Sequence, residues 1–61
     1  MTTRQIADEH RSSLVALGWS CTAVEENWQD GSCKFVSVDP RTDAIATRKV
    51  SSGGTLSVTK L

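Results

Sequence analysis

The stretch Trp19–Val38, WSCTAVEENWQDGSCKFVSV, limits this chain most. Asp30-Gly31 between two segments able to run extended is the strongest short-range signal for a β-hairpin. The first arm carries both tryptophans and leads through Glu25 and Glu26 to Asp30. The second carries the only phenylalanine together with Val36 and Val38. An isolated hairpin is marginal in water, so this one must lay a face against further strands or a helix. The whole chain has 61 residues in which to supply them. A single small domain is therefore expected, over 1–61, with a thin stability margin.

Two hairpin registers suit the turn. A two-residue turn at Asp30-Gly31 pairs Trp28 with Cys33 and Glu26 with Phe35. A three-residue loop, Gln29-Asp30-Gly31, pairs Glu26 with Lys34 and Val24 with Val36. The second gains a charge pair and a β-branched pair across the strands and is preferred. Apolar residues do not alternate cleanly along the first arm, and Glu25-Glu26 is where a bulge would switch faces.

Residues 3–17 read as a helix. Thr2 and Gln5 have capping-box spacing. Ile6, His10, Leu14 and Leu17 form one stripe at helical period, flanked by Ala7 and Val15. Gly18 follows as a left-handed cap, and Trp19 stands where a Schellman motif puts its hydrophobic residue.

After the hairpin, Asp39-Pro40-Arg41-Thr42-Asp43 reads as a turn, because proline presets the second turn position. Ala44–Val50 and Thr55–Leu61 read as strands joined by Ser51-Ser52-Gly53-Gly54. A second helix over 40–50, with Pro40 at its first position, is the competing reading. The expected fold is α+β: one N-terminal helix packed on a three- or four-stranded antiparallel β-meander in sequential order. The expected core draws on Ile6, Leu14, Leu17, Trp19, Val24 or Ala23, Phe35 or Val36, Val38, Ile45, Leu56 and Val58.

Several chemistries find no support. Cys21 and Cys33 match no zinc spacing, and only His10 remains to join them. Neither hairpin register brings the two sulfurs within disulfide reach, so two reduced cysteines are expected. His10 has no partner at the spacing of a triad, and Glu25 and Glu26, as strand neighbours, point to opposite faces. Ser52-Gly53-Gly54-Thr55 is too short for a phosphate loop and lacks the lysine that would follow. A chain this short also lacks walls for a substrate pocket. No enzyme activity, metal or cofactor is expected. The longest apolar run, Leu14–Leu17, cannot span a membrane. MTTRQIADEH reads as neither a secretory signal nor a transit peptide, so a cytoplasmic protein is expected.

Seven basic and seven acidic residues cancel, but unevenly along the chain. Residues 1–30 hold two bases against five acids, and residues 31–61 hold five bases against two acids. Two surfaces follow. Trp28 among Glu25, Glu26 and Asp30 resembles an interface hot spot, an aromatic anchor ringed by polar groups. Such a patch would dock on a basic surface of a larger protein or complex, including one that holds nucleic acid. The alternative is nucleic-acid binding through Lys34, Arg41, Arg48, Lys49 and Lys60, although no aromatics interleave with them to stack bases. A third reading is a structural subunit that adds the strand Thr55–Leu61 to a neighbour's sheet.

In size, charge balance and the lack of a catalytic set, the chain resembles the small single-domain proteins of phages and mobile elements, among them the anti-CRISPR proteins. That resemblance rests on no particular residue. It implies an inhibitor or adaptor that acts by occupying a surface of a host complex.

Overall fold

The computed structural model describes every residue, Met1–Leu61. Helix α1 spans Thr3–Ala16, and five strands follow: β1 (Ser20–Cys21), β2 (Glu25–Asn27), β3 (Ser32–Val38), β4 (Ile45–Val50) and β5 (Leu56–Lys60). They form one antiparallel sheet in which β1 and β2 both pair with β3, then β4, then β5. The fold is α+β with an N-terminal helix, as expected. The strand count is higher because the first hairpin arm is two short strands. Residues 45–50 are a strand, which removes the helical reading of 40–50.

Local chemistry sets both ends of α1. Thr2 Oγ1 accepts from the Gln5 amide at 3.1 Å, and Gln5 Oε1 accepts from the Thr2 amide at 2.8 Å. At the other end Gly18 has φ +92, a conformation open to glycine at no steric cost. Its amide donates to Val15 O and the Trp19 amide to Leu14 O, both at 3.0 Å, which is the Schellman pattern.

The hairpin takes neither expected register. Glu25 opposes Lys34, Glu26 opposes Cys33 and Asn27 opposes Ser32, which leaves a four-residue loop, Trp28–Gly31. The Gly31 amide donates to Asn27 O at 2.8 Å, and Gly31 sits at φ +73. Asp30 Oδ1 accepts from both the amide and the hydroxyl of Ser32, at 2.9 and 2.6 Å. These bonds close a longer loop than Asp-Gly alone suggests.

The face switch falls at Thr22–Val24 and not at Glu25-Glu26. Three residues of the first arm there face only Phe35 and Val36 between the flanking pairs Cys21–Ser37 and Glu25–Lys34. Thr22 holds the gap shut. Its amide donates to Val36 O, and its hydroxyl accepts from the Val36 amide, each at 2.9 Å. The Thr22 carbonyl turns away to accept from Arg11 Nε at 2.7 Å. A helix side chain thus satisfies the backbone group that the bulge removes from the ladder.

The core lies between α1 and the centre of the sheet. Ala7, Leu14, Cys33, Phe35, Ala46 and Val50 are buried, and Ile6 and Val24 pack against Ala7, Cys33 and Val50. Burying the Phe35 ring stabilises the fold by about 2–3 kcal/mol. Several expected core residues lie elsewhere. Cys33, Phe35 and Ser37 of β3 turn toward the helix, so by register Ala46, Arg48 and Val50, then Leu56, Val58 and Lys60, share that face. Ile45 therefore points to the open face and is exposed, while Val36 and Val38, also on that face, are half-buried. Leu56 and Val58 lie on the helix side, yet remain 42% and 47% exposed. A helix about 10 Å wide covers roughly two strands spaced about 4.8 Å apart, and α1 rests on β1, β3 and β4. Leu17, placed in the C-terminal cap, is also exposed, and Trp19 is half-buried.

Candidate functional site

The hairpin loop lifts Trp28 clear of the protein. The indole is 87% exposed, and it stacks on neither an aromatic ring nor a guanidinium. Glu25, Glu26 and Asn27, which form β2, are exposed on the stem beneath it, and Gln29 and Asp30 follow it in the loop. The pleat sends Glu26 to the helix side and Glu25 to the open side.

Two clefts meet at Trp28. One, of about 390 Å³, lies between the start of α1 and the hairpin; Thr2, Arg4, Glu26, Trp28 and Gly31 line it, with Cys33 among its walls. The other, of about 450 Å³, involves Glu25, Trp28, Ser32, Lys34 and Lys49. The indole is thus a wall common to two shallow depressions.

Two cations temper the acidity of the tip. Arg4 reaches Glu26 at 3.3 Å and Asp8 at 3.7 Å, and Lys49 reaches Asp30 at 3.7 Å. All of these side chains are about half exposed, so the pairs position groups more than they stabilise the fold. The hydroxyl and amide of Ser32, with Lys49 adding to them, hold the Asp30 carboxyl below its ordinary range. Glu25 is free of ion pairs and faces Lys34 across the strands.

The five basic residues do not gather on one surface. Lys34 and Lys49 are cross-strand neighbours on the open face. Arg48 and Lys60 belong to the helix face, and Arg41 lies in the turn after β3.

Arg48 is in an unusual place. Its guanidinium lies 5.3 Å from the centre of the Trp19 ring, donates to Ser37 Oγ at 2.9 Å and meets His10 Nε2 at 3.0 Å. No carboxylate pairs with it. His10 also faces the Phe35 ring, 5.9 Å between centroids. Burial first, and Arg48 second, push the His10 pKa below its ordinary value. A neutral imidazole can accept from the guanidinium, whereas an imidazolium would oppose it. This cluster bonds the helix to the sheet.

Cys21 and Cys33 are free thiols. Burial and the nearby Glu26 raise the Cys33 pKa, which suppresses the reactive thiolate. No three His, Cys, Asp or Glu side chains converge as a metal-ligand group would, and the helix is not long and apolar enough to cross a membrane.

Sequence reasoning missed Arg4, Thr2 and Lys49 as neighbours of the tip. Arg4 lies 22 positions from Glu26, and only the packing of α1 brings the two together. No local signal encodes that contact. No family model, curated protein or solved structure matches the chain.

Proposed function

We propose that the chain is a non-enzymatic interaction module that binds a larger protein through the hairpin tip. The observation that carries this reading is the exposure of Trp28 on a loop that the core does not need. A tryptophan held out in water costs solubility and contributes almost nothing to folding, whereas at an interface it supplies the largest apolar contact of any side chain. Glu25, Glu26 and Asp30 around it fit a partner with a basic surface. Nucleic-acid-binding grooves are such surfaces, and a protein seated on one would act as an inhibitor or adaptor. That would be the manner of the phage-encoded anti-defence proteins the chain resembles.

Electrostatics would speed encounter and the indole would set residence time. Trp28→Ala should reduce retention of the partner at least tenfold in a pull-down, with an unchanged circular dichroism spectrum. Glu25→Lys should slow association, most clearly at low salt. A folded Trp28→Ala variant that captures the same partner as well as wild type would end this reading.

A further inference from the structure

We infer that β5 is a self-association edge, through which two copies of this chain pair antiparallel about Val58 to form one continuous ten-stranded sheet. The inference is independent of the hairpin tip and rests on the geometry of the opposite side of the sheet.

The backbone fixes which groups are available. Ser51 N–H donates to Thr55 O at one end of the β4–β5 pair, and Leu61 N–H donates to Ile45 O at the other. Antiparallel bonding alternates along a strand. Thr55, Ser57, Thr59 and Leu61 therefore turn their amides and carbonyls toward β4. Leu56, Val58 and Lys60 turn theirs outward, on the side where the sheet order ends.

One antiparallel register matches all three outward residues of one copy to all three of another. It sets Val58 against Val58 of the second copy and Leu56 against its Lys60. This arrangement has an exact twofold axis, as closed dimers require. Its side-chain pairs are also compatible. Val58 meets a β-branched copy of itself, Ser57 meets Thr59, and the lysine stem can lie over leucine. The two Lys60 ammonium groups stand four residues apart along the joint, roughly 13 Å, beyond the screening length of about 8 Å at physiological salt. A register slipped toward the C-terminus would instead set the lysines face to face. The chain's zero net charge adds no long-range repulsion between copies.

The side chains left bare by the helix point to the same occupant. Leu56 and Val58 lie on the helix face beyond the reach of α1, about half exposed. Pairing brings four such residues together across the axis. Of the usual protections of an edge β5 carries only one lysine, Lys60 at its end, and neither proline nor bulge. The other edge is protected. It is broken between β1 and β2, closed over by Thr22 and Arg11, and lined by Glu25 and Glu26. Pairing β5 with that edge, the route to open fibres, is thereby disfavoured, and β5 with β5 is the contact that closes. Joining two five-residue strands buries less than the roughly 1,200 Å² of a standard interface, so the dimer is weak.

The test is sedimentation equilibrium on the full chain under reducing conditions, up to about 1 mM, with amide hydrogen exchange read at low and high concentration. The expected result is a reversible monomer–dimer equilibrium, with protection of the Leu56, Val58 and Lys60 amides rising more steeply with concentration than that of Ser57 and Thr59, which gain only through the added stability of the paired chain. Val58→Pro removes an outward N–H and no intrachain bond, and should abolish the dimer in a folded monomer. Leu56→Glu, placed opposite Lys60, should dimerise about 2- to 30-fold more tightly than Leu56→Lys, from two cross-strand pairs at about 0.2–1 kcal/mol each. Overturning results are a monomer throughout, as expected if β5 receives another protein's strand, an open-ended polymer, a dimer that Val58→Pro leaves intact, or a concentration-dependent gain in protection that is larger on β1 and β2 than at Leu56, Val58 and Lys60.

Discussion

Trp19 and Trp28 bracket the first hairpin arm, and their surroundings differ in kind. Trp19 ends the helix cap, half-buried, with the Arg48 guanidinium 5.3 Å from its ring centre. Trp28 stands 87% exposed at the far end, on a loop whose hydrogen bonds run to Asn27 and Ser32, the strand residues that flank it. At the base, aromatic area is joined to helix, sheet and cation. At the tip it is presented to water. The contrast teaches that in a chain this small a packed aromatic residue and a fully presented one can lie nine positions apart on one strand arm. A residue altered at the base should act on folding, and one altered at the tip on binding.

The largest test of that separation is Phe35→Ala. Phe35 is 2% exposed at the centre of the sheet and touches the His10 ring. Its truncation should cost about 3–5 kcal/mol, against a total stability of roughly 3–9 kcal/mol for a chain of this length. Urea denaturation should find the unfolding midpoint of the variant shifted far below that of wild type. If it remained as stable as wild type, the base would not be the core.

Acid should act next, and again at the base. The His10 pKa is lowered in the folded protein, so the unfolded chain takes up the proton first. Stability is therefore full above about pH 6.5. It declines as pH falls below that value toward the lower folded pKa, and the His10 contribution then levels off. Melting temperatures between pH 7.5 and 5 should trace this decline, and His10→Gln should flatten it. An unchanged slope in that variant would mean that another group governs the window.

Trp28→Ala should have the smallest effect on folding, within about 0.5 kcal/mol of wild type, measured by the same denaturation. A loss as large as that at Phe35 would show that the tip belongs to the core after all and would collapse the comparison.

The parts of this fold legible in the sequence are those that neighbouring residues decide. Thr2, Gln5, Gly18 and Trp19 announce both ends of α1, because capping bonds join residues a few positions apart. The polar neighbours of Trp28 are the one local sign of its exposure. The hairpin register was not legible. Asp30-Gly31 suggests a short turn, whereas the bonds from Ser32 to the Asp30 side chain and from Gly31 to Asn27 close a four-residue loop. Nor was the core readable strand by strand. Leu56 and Val58 have the composition of core residues and the correct face, but the helix is too narrow to reach them. Arg48 reads as one of five basic residues. Only the tertiary packing sets it beneath a tryptophan, with Ser37 and His10 as partners.

The closed loop also bears on how the protein ages. Aspartyl-glycine bonds degrade when the glycine nitrogen attacks the aspartate carboxyl, closes a succinimide and reopens as isoaspartate. Here the Gly31 N–H is donated to Asn27 O, and the Asp30 carboxylate, kept ionised, is held by Ser32. Nucleophile and electrophile are both engaged elsewhere. The folded chain should therefore accumulate isoaspartate at position 30 slowly on storage, and the chain unfolded in urea much faster, a difference that peptide mapping can follow. A loop that spares its own backbone in this way keeps the aspartate beside Trp28 intact as the protein ages.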